Sequence, residues 1–235
     1  MIINSQGFGH FTDGLNNQDF GIATPNMLMV LDGCSGAKYS EVGTRLFAQL
    51  FSKKEDFDNH NKFEENVKDV FEELLEMMSK YFPDEKLEEE FIMENLLFTI
   101  IACFKTEDKY IVKLFGDGYI ITQNNLRQIS YMRFYYGKYP PYYAYKYCKN
   151  TDFKHYEFKT FEFPKKTFPR VGIATDGILP IFKGEVNGVD TFIFYGNEKM
   201  VQNAIKLNKQ VIYDDVTIAM FDDVSEVKNE EQKEW

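Results

Sequence analysis

The sequence predicts an α+β fold built in layers, on three observations. Strand-like apolar runs occur in both halves of the chain. Amphipathic helical patterns group at 41–82 and 197–208. No Pro/Gly/Ser-rich linker divides the 235 residues into two units. A domain of this length buries a substantial core without staples. We therefore expect a single domain over 1–223, followed by a polar, acidic tail at 224–235 that frays.

The elements follow in chain order. Up to Phe20 the chain is rich in Gly and Asn and reads as a short strand followed by a loop. Met27 to Leu31 is a continuous apolar run ending at Asp32-Gly33, as a buried strand and sharp turn would be. From Glu41, Val42, Leu46 and Leu50 recur at helical spacing with Phe47 and Phe51 beside them. Phe63, Val67, Val70, Phe71, Leu74, Met78 and Phe82 then trace one stripe of a longer helix that Pro83 helps to stop. Leu96 to Phe104 is apolar on both faces, as a strand between two layers is. Tyr110 to Phe115, a break at Gly116-Asp117-Gly118, and Tyr119 to Thr122 read as the continuation of an antiparallel meander. Tyr131 to Tyr147 contains Pro140-Pro141 and is excluded as a central strand, because proline removes ladder donors. It reads as a long excursion or flap. Val171 to Ala174 is a short core strand ending at Asp176-Gly177. Asn197 caps a helix carrying Met200, Val201, Ala204, Ile205 and Leu207, and Val216 to Phe221 is a last strand.

Charge is distributed unevenly. The net charge is -10, and residues 55–90 alone hold fourteen acids against four lysines, the pattern of a solvated helix face. Residues 131–170 as a whole read as a basic, aromatic, flap-like excursion, with nine Lys/Arg against three acids and fifteen aromatics among the forty residues. Lys138, Lys146 and Lys149 there are positioned to draw in an acidic, phosphorylated substrate. Alternatively, the tyrosines pack among themselves to order the segment. A single-stranded nucleic-acid platform is a third reading, and the acidic remainder of the chain counts against it. No apolar run approaches the ~18 residues of a membrane span, and no signal peptide is visible at the start. The three cysteines, Cys34, Cys103 and Cys148, form no C-x-x-C pair and fit a reducing, cytoplasmic setting.

The sequence lacks H-E-x-x-H, both glycine-rich phosphate loops, G-x-S-x-G, the cysteine-phosphatase loop and D-x-D-x-[TV]. What remains is a set of aspartates, Asp19, Asp32, Asp117, Asp176 and Asp214-Asp215, each placed where a strand meets a turn. Gathered at one sheet edge, such carboxylates suit hard divalent ions. Singly, each Asp-Gly is more often a hairpin turn than a ligand.

The order of these segments resembles the metal-dependent protein phosphatases of the type 2C family, in particular its compact bacterial-type branch. The matching segments are Gly7-x-x-His10-x-x-x-Gly14-x-x-Asn17-Gln18-Asp19, Asp32-Gly33-Cys34-Ser35-Gly36 with Ser40 to Arg45, Gly116-Asp117-Gly118, Ala174-Thr175-Asp176-Gly177, and Asp214-Asp215-Val216-Thr217. The resemblance implies a four-layer α-β-β-α sandwich of two antiparallel sheets flanked by helix pairs. It also implies a serine/threonine phosphoprotein phosphatase with two Mn²⁺ or Mg²⁺ ions. Asp32 would bridge the two ions, the Gly33 carbonyl would bind the second, and Asp176 and Asp214 would complete the first. Asp19 would hold water of the metal shell, and Asp117 with Asp176 would form a third site. Water activated between the ions would attack phosphorus in line. The implied partner is a phosphorylated protein, the target of a Ser/Thr kinase, with no nucleic acid or membrane, and the chain is expected as a monomer.

Three departures from the family pattern stand out. Gln18 replaces an acid, the phosphate-gripping arginine would fall near Gly14, and a proposed general-acid histidine would fall at Cys34. His10 is the residue placed to contact phosphate or deliver a proton, or else to make a structural hydrogen bond. The missing groups leave open a second expectation, a catalytically silent member that acts as a regulatory binding module.

Overall fold

The computed structural model describes residues 1–80, 85–136, 139–149, 151, 153–183 and 198–221. Among the described residues, ten strands form two five-stranded sheets, antiparallel throughout. In the first, β1 (Ile2–Ser5), β10 (Val216–Met220), β9 (Arg170–Ala174), β6 (Gly118–Gln123) and β7 (Ile129–Phe134) lie side by side in that order. In the second the order is β2 (Phe20–Ala23), β3 (Met27–Gly33), β4 (Phe98–Lys105), β5 (Lys109–Phe115) and β8 (Lys159–Pro164).

Side-chain alternation along the strands builds the layers. Leu28 and Val30 of β3 pack with Ile101, Cys103, Ile120, Val171, Ile173 and Ala219 between the sheets. Met27, Met29 and Leu31 face the opposite way, onto a helical layer of α2 (Ser40–Phe51), α3 (Phe63–Ser79) and α4 (Glu85–Asn95). On the outer face of the first sheet, Tyr119, Ala174, Ile218 and Met220 meet α5 (Leu179–Phe182) and α6 (Glu198–Leu207) through Ile181, Val201 and Ile205. The expected four-layer sandwich is therefore the observed one. Strands covered on both faces explain why their sequences read as unbroken apolar runs.

Four local readings differ from the structure. First, the Gly116-Asp117-Gly118 turn does not close a meander hairpin. It carries the chain from β5 in the second sheet to β6 in the first, with Gly116 and Gly118 at φ 108° and 131°. A Cβ on Gly116 would stand 2.6 Å from that of Thr99. Second, the excursion is narrower than 131–170, because β7 and β8 occupy its two ends as edge strands. Third, α4 is a separate helix inside the acidic stretch. Fourth, a one-and-a-half-turn helix, α1 (Phe8–Asp13), interrupts the N-terminal loop. Phe82, Pro83, Lys138, Asn197 and the tail 224–235 lie outside the described residues.

The aromatic segment packs. Tyr143 and Tyr145 are buried on a 3-10 turn spanning Tyr143–Tyr147, and Tyr142 is buried just before it. The Tyr143 ring lies 4.9 Å from Phe71 and 5.2 Å from Phe115. Lys146 is paired with Glu157 at 3.0 Å. Among the described residues, no helix is long and apolar enough to cross a membrane.

Candidate active site

Both sheets deliver aspartates to one end of the sandwich. Asp32 leaves β3 opposite Thr99 of β4, Asp117 sits in the turn between the sheets, Asp176 follows β9, and Asp214 precedes β10. Asp32, Gly33, Asp117, Asp176 and Asp214 line one cavity of about 320 Å³, together with Tyr135, Tyr139 and Tyr142. Asp176 N–H donates to Asp32 Oδ2 at 3.5 Å, so the two strand ends are directly coupled.

Burial and mutual repulsion dominate the electrostatics. Burial pushes Asp32 well above the usual carboxylate range, and Asp19, Asp176, Asp214 and Asp117 push it further. Burial, then Asp176, lifts Asp117 to about 7. Asp176 is raised by burial and by Asp214. Asp214 is raised chiefly by burial, against the opposing pull of the Asp215 N–H and of His10. Carboxylates gathered without lysine or arginine among the lining residues concentrate negative charge that Arg133, outside the lining, offsets only in part and that a divalent cation relieves. Among the described residues no three of them close on a single point, so they ring the cavity rather than cage one ion. A set of carboxylate and carbonyl oxygens fits hard cations such as Mg²⁺ or Mn²⁺.

Asp19 is 1% exposed and does not line the cavity. It accepts a hydrogen bond from the Thr175 hydroxyl at 2.7 Å, and that hydroxyl in turn accepts from the Thr217 N–H at 2.9 Å. Asp19 thus stands behind Asp32, locked to β9 and β10. His10 does not line the cavity either. Its Nδ1 lies 2.8 Å from Asp215 and its Nε2 3.9 Å from Asp214. The buried Asp215 carboxylate holds one ring nitrogen and fixes the imidazole beside Asp214, outside the cavity lining.

Sequence reasoning missed Asp215 as a structural hub and Tyr142 as a cavity wall. Asp215 is 3% exposed and accepts from Gly7 N–H at 2.8 Å and Gln18 N–H at 2.6 Å. Period-two alternation at the mouth of β10 was the available signal, since neighbours in an extended chain point opposite ways. The Tyr142 phenol is pushed up by burial and by its hydrogen-bonded neighbour Cys34, so it stays protonated at the cavity wall. No periodic pattern marks it. At Gly33 any side chain is excluded, because a Cβ would meet the Gln18 carbonyl at 2.7 Å and Ser40 Oγ at 2.8 Å. That close approach fixes the loop carrying Gln18-Asp19 against the end of β3.

The family model for protein phosphatase 2C matches residues 6–210. No curated protein matches the sequence. Among solved structures, a bacterial serine phosphatase is similar at TM-score 0.61 and 14% identity, over 94% of this chain and 95% of that one. The Mycobacterium tuberculosis serine/threonine phosphatase PstP/Ppp matches at TM-score 0.61 and 13% identity, over 94% and 96%. The catalytic domain of PstP in complex with two manganese ions matches at 0.61 and 15%, over 94% and 97%. The structural likeness shows a shared fold, and the family match spans most of the chain: this chain belongs to the protein phosphatase 2C family.

Proposed function

We propose that the chain is a Mn²⁺- or Mg²⁺-dependent phosphatase acting on phosphoserine or phosphothreonine in proteins. The observation that carries the reading is the convergence of Asp32, Asp117, Asp176 and Asp214, from four separate strand ends, on one cavity with no lysine or arginine in its lining. Asp32, the Gly33 carbonyl, Asp176 and Asp214 would hold two ions, with Asp117 and Asp176 available to a third. When bound, the ions supply Lewis acidity toward phosphoryl oxygen and lower the pKa of water between them. The chain's own residues prepare that chemistry. Asp19, fixed by Thr175, adds negative charge behind Asp32. Asp215 and His10 hold the N-terminal loop and the base of Asp214. The protonated Tyr142 bounds the cavity with a neutral hydrogen-bonding group. A kinase-phosphorylated protein in the cytoplasm is the substrate class this reading takes, with the chain acting as a monomer.

The test is hydrolysis of a phosphothreonine peptide and of p-nitrophenyl phosphate across a Mn²⁺ titration, with Asp176→Asn as control. Turnover that requires metal and vanishes in the variant supports the reading. Absence of turnover at every Mn²⁺ concentration, with metal still bound by calorimetry, overturns it in favour of a silent regulatory module.

A further inference from the structure

The family's phosphate-gripping arginine has no counterpart at the N-terminal loop. Gly14 ends α1, and a Cβ built on it meets nothing within 4 Å. The chain has four arginines. Arg45 donates to the carbonyls of Glu41 and Asn17, both at 2.8 Å. Arg170 is buried in β9. Arg127 lies in the turn after β6, at the end of that strand opposite Asp117.

Arg133 differs from all three. It is exposed on the edge strand β7, and its guanidinium makes no hydrogen bond or ion pair among the described residues. The guanidinium stacks over the Tyr135 ring at 4.6 Å and reaches the Tyr119 ring at 6.0 Å. Pairing of Tyr119 with both Arg133 and Ala174 sets the register. Two residues further toward the cavity end, the same row runs through Tyr135, Asp117 and Asp176, all of which line the cavity. Arg133 is the cation that partly offsets the upward shift of both Asp117 and Asp176. An exposed guanidinium with no hydrogen-bond acceptor among the described residues, oriented by an aromatic stack at the rim of an acidic cavity, has the form of an anion clamp.

We propose that Arg133 binds the phosphoryl group of the incoming phosphomonoester, supplying from β7 the cation that the N-terminal loop lacks. The assignment rests on the phosphatase reading, and the experiment separates the two. The probe is inorganic phosphate in saturating Mn²⁺, with binding followed by phosphorus NMR line broadening and by inhibition of p-nitrophenyl phosphate hydrolysis. Arg133→Ala should weaken phosphate and raise KM by tenfold or more, a size set by a lost charge-assisted pair. Mn²⁺ affinity and melting temperature should stay at the wild-type values, because the side chain is exposed. Arg133→Lys should fall between, keeping the charge but not the planar fork. Phosphate affinity unchanged in Arg133→Ala overturns the assignment, as does a matching loss of Mn²⁺ affinity, which would place its action on the metals. If the wild type binds phosphate through Arg133 yet hydrolyses nothing, the phosphatase reading alone fails. Absence of phosphate binding to the wild type overturns the clamp.

Discussion

Replacing Asp215, buried behind the cavity, by alanine should cost several kcal/mol of stability. The carboxylate accepts from the N–H of Gly7 at 2.8 Å and of Gln18 at 2.6 Å, and lies 2.8 Å from His10 Nδ1. A hydrogen bond to a charged group contributes about 1.5–3 kcal/mol, and each orphaned buried amide costs about 1–3 kcal/mol. Three bonds sharing one carboxylate do not add in full, so the net loss is about 3–5 kcal/mol. At about 2–4 °C per kcal/mol for a domain of this size, the melting temperature should fall on the order of 10 °C. The assay is thermal and urea denaturation in chelator, which removes stabilisation by bound metal. The urea midpoint should drop with an unchanged slope. Asp215→Asn keeps one acceptor oxygen but turns an amide NH₂ toward donors, and should lose about half as much. A melting temperature for Asp215→Ala within about 2 °C of wild type would refute the hub, since an anchor with those three bonds has no inexpensive replacement.

Three further outcomes are expected. Asp32→Asn and Asp176→Asn should abolish metal-dependent turnover and weaken Mn²⁺ by at least tenfold in calorimetry, since each removes a charged ligand; full activity in either variant refutes the ligand assignment. Tyr143→Ala should cost about 3–5 kcal/mol in urea denaturation, because the ring fills core space between Phe71 and Phe115; a loss below about 1 kcal/mol would mean that the segment is a surface feature. The cavity carboxylates are raised from 3.8, Asp117 to about 7, so between those values the native chain holds more protons than the unfolded one. Their contribution to stability therefore falls as pH rises through that window. The chelated protein should melt lower at pH 8 than at pH 5.5, with the larger Mn²⁺-induced rise at pH 8; an equal rise at both pH values contradicts the charge reading.

How much was legible in the sequence follows from which signals are local. Buried strands and amphipathic helices announce themselves through periodicity, so β3, β4, α2 and α3 were readable from single windows. The sheet that receives β6 was not, because a strand–turn–strand pattern is the same whether the turn closes a hairpin or crosses between layers. What decides it is the crowding of Gly116 against Thr99, a contact with another strand. Likewise the aspartates were visible as residues at strand ends, but their shared cavity depends on pairings such as Asp32 with Thr99 and on the register of β9 with β6. Arg133 and the tyrosines that wall the cavity sit in a segment organised by ring contacts with no repeating period, so nothing in one sequence separates them from their neighbours.

The Asp214-Asp215 pair shows how one dipeptide joins stability to chemistry. Both residues have the same side chain and nearly the same position in the chain, yet half of the Asp214 side chain is exposed and almost none of Asp215 is. Extended backbone entering β10 sends one toward the cavity and the other into the protein, and the Asp215 N–H holds the Asp214 carboxylate at 2.8 Å. Asp215 then binds the loop that delivers Gln18-Asp19 behind Asp32. The start of the chain and its last strand are thus closed by the same residues that set the charge of the cavity. A cation that neutralises the cavity should therefore tighten the N-terminal loop as well, because the repulsion it removes is exerted in part on Asp19 and Asp214, the groups that loop and β10 carry.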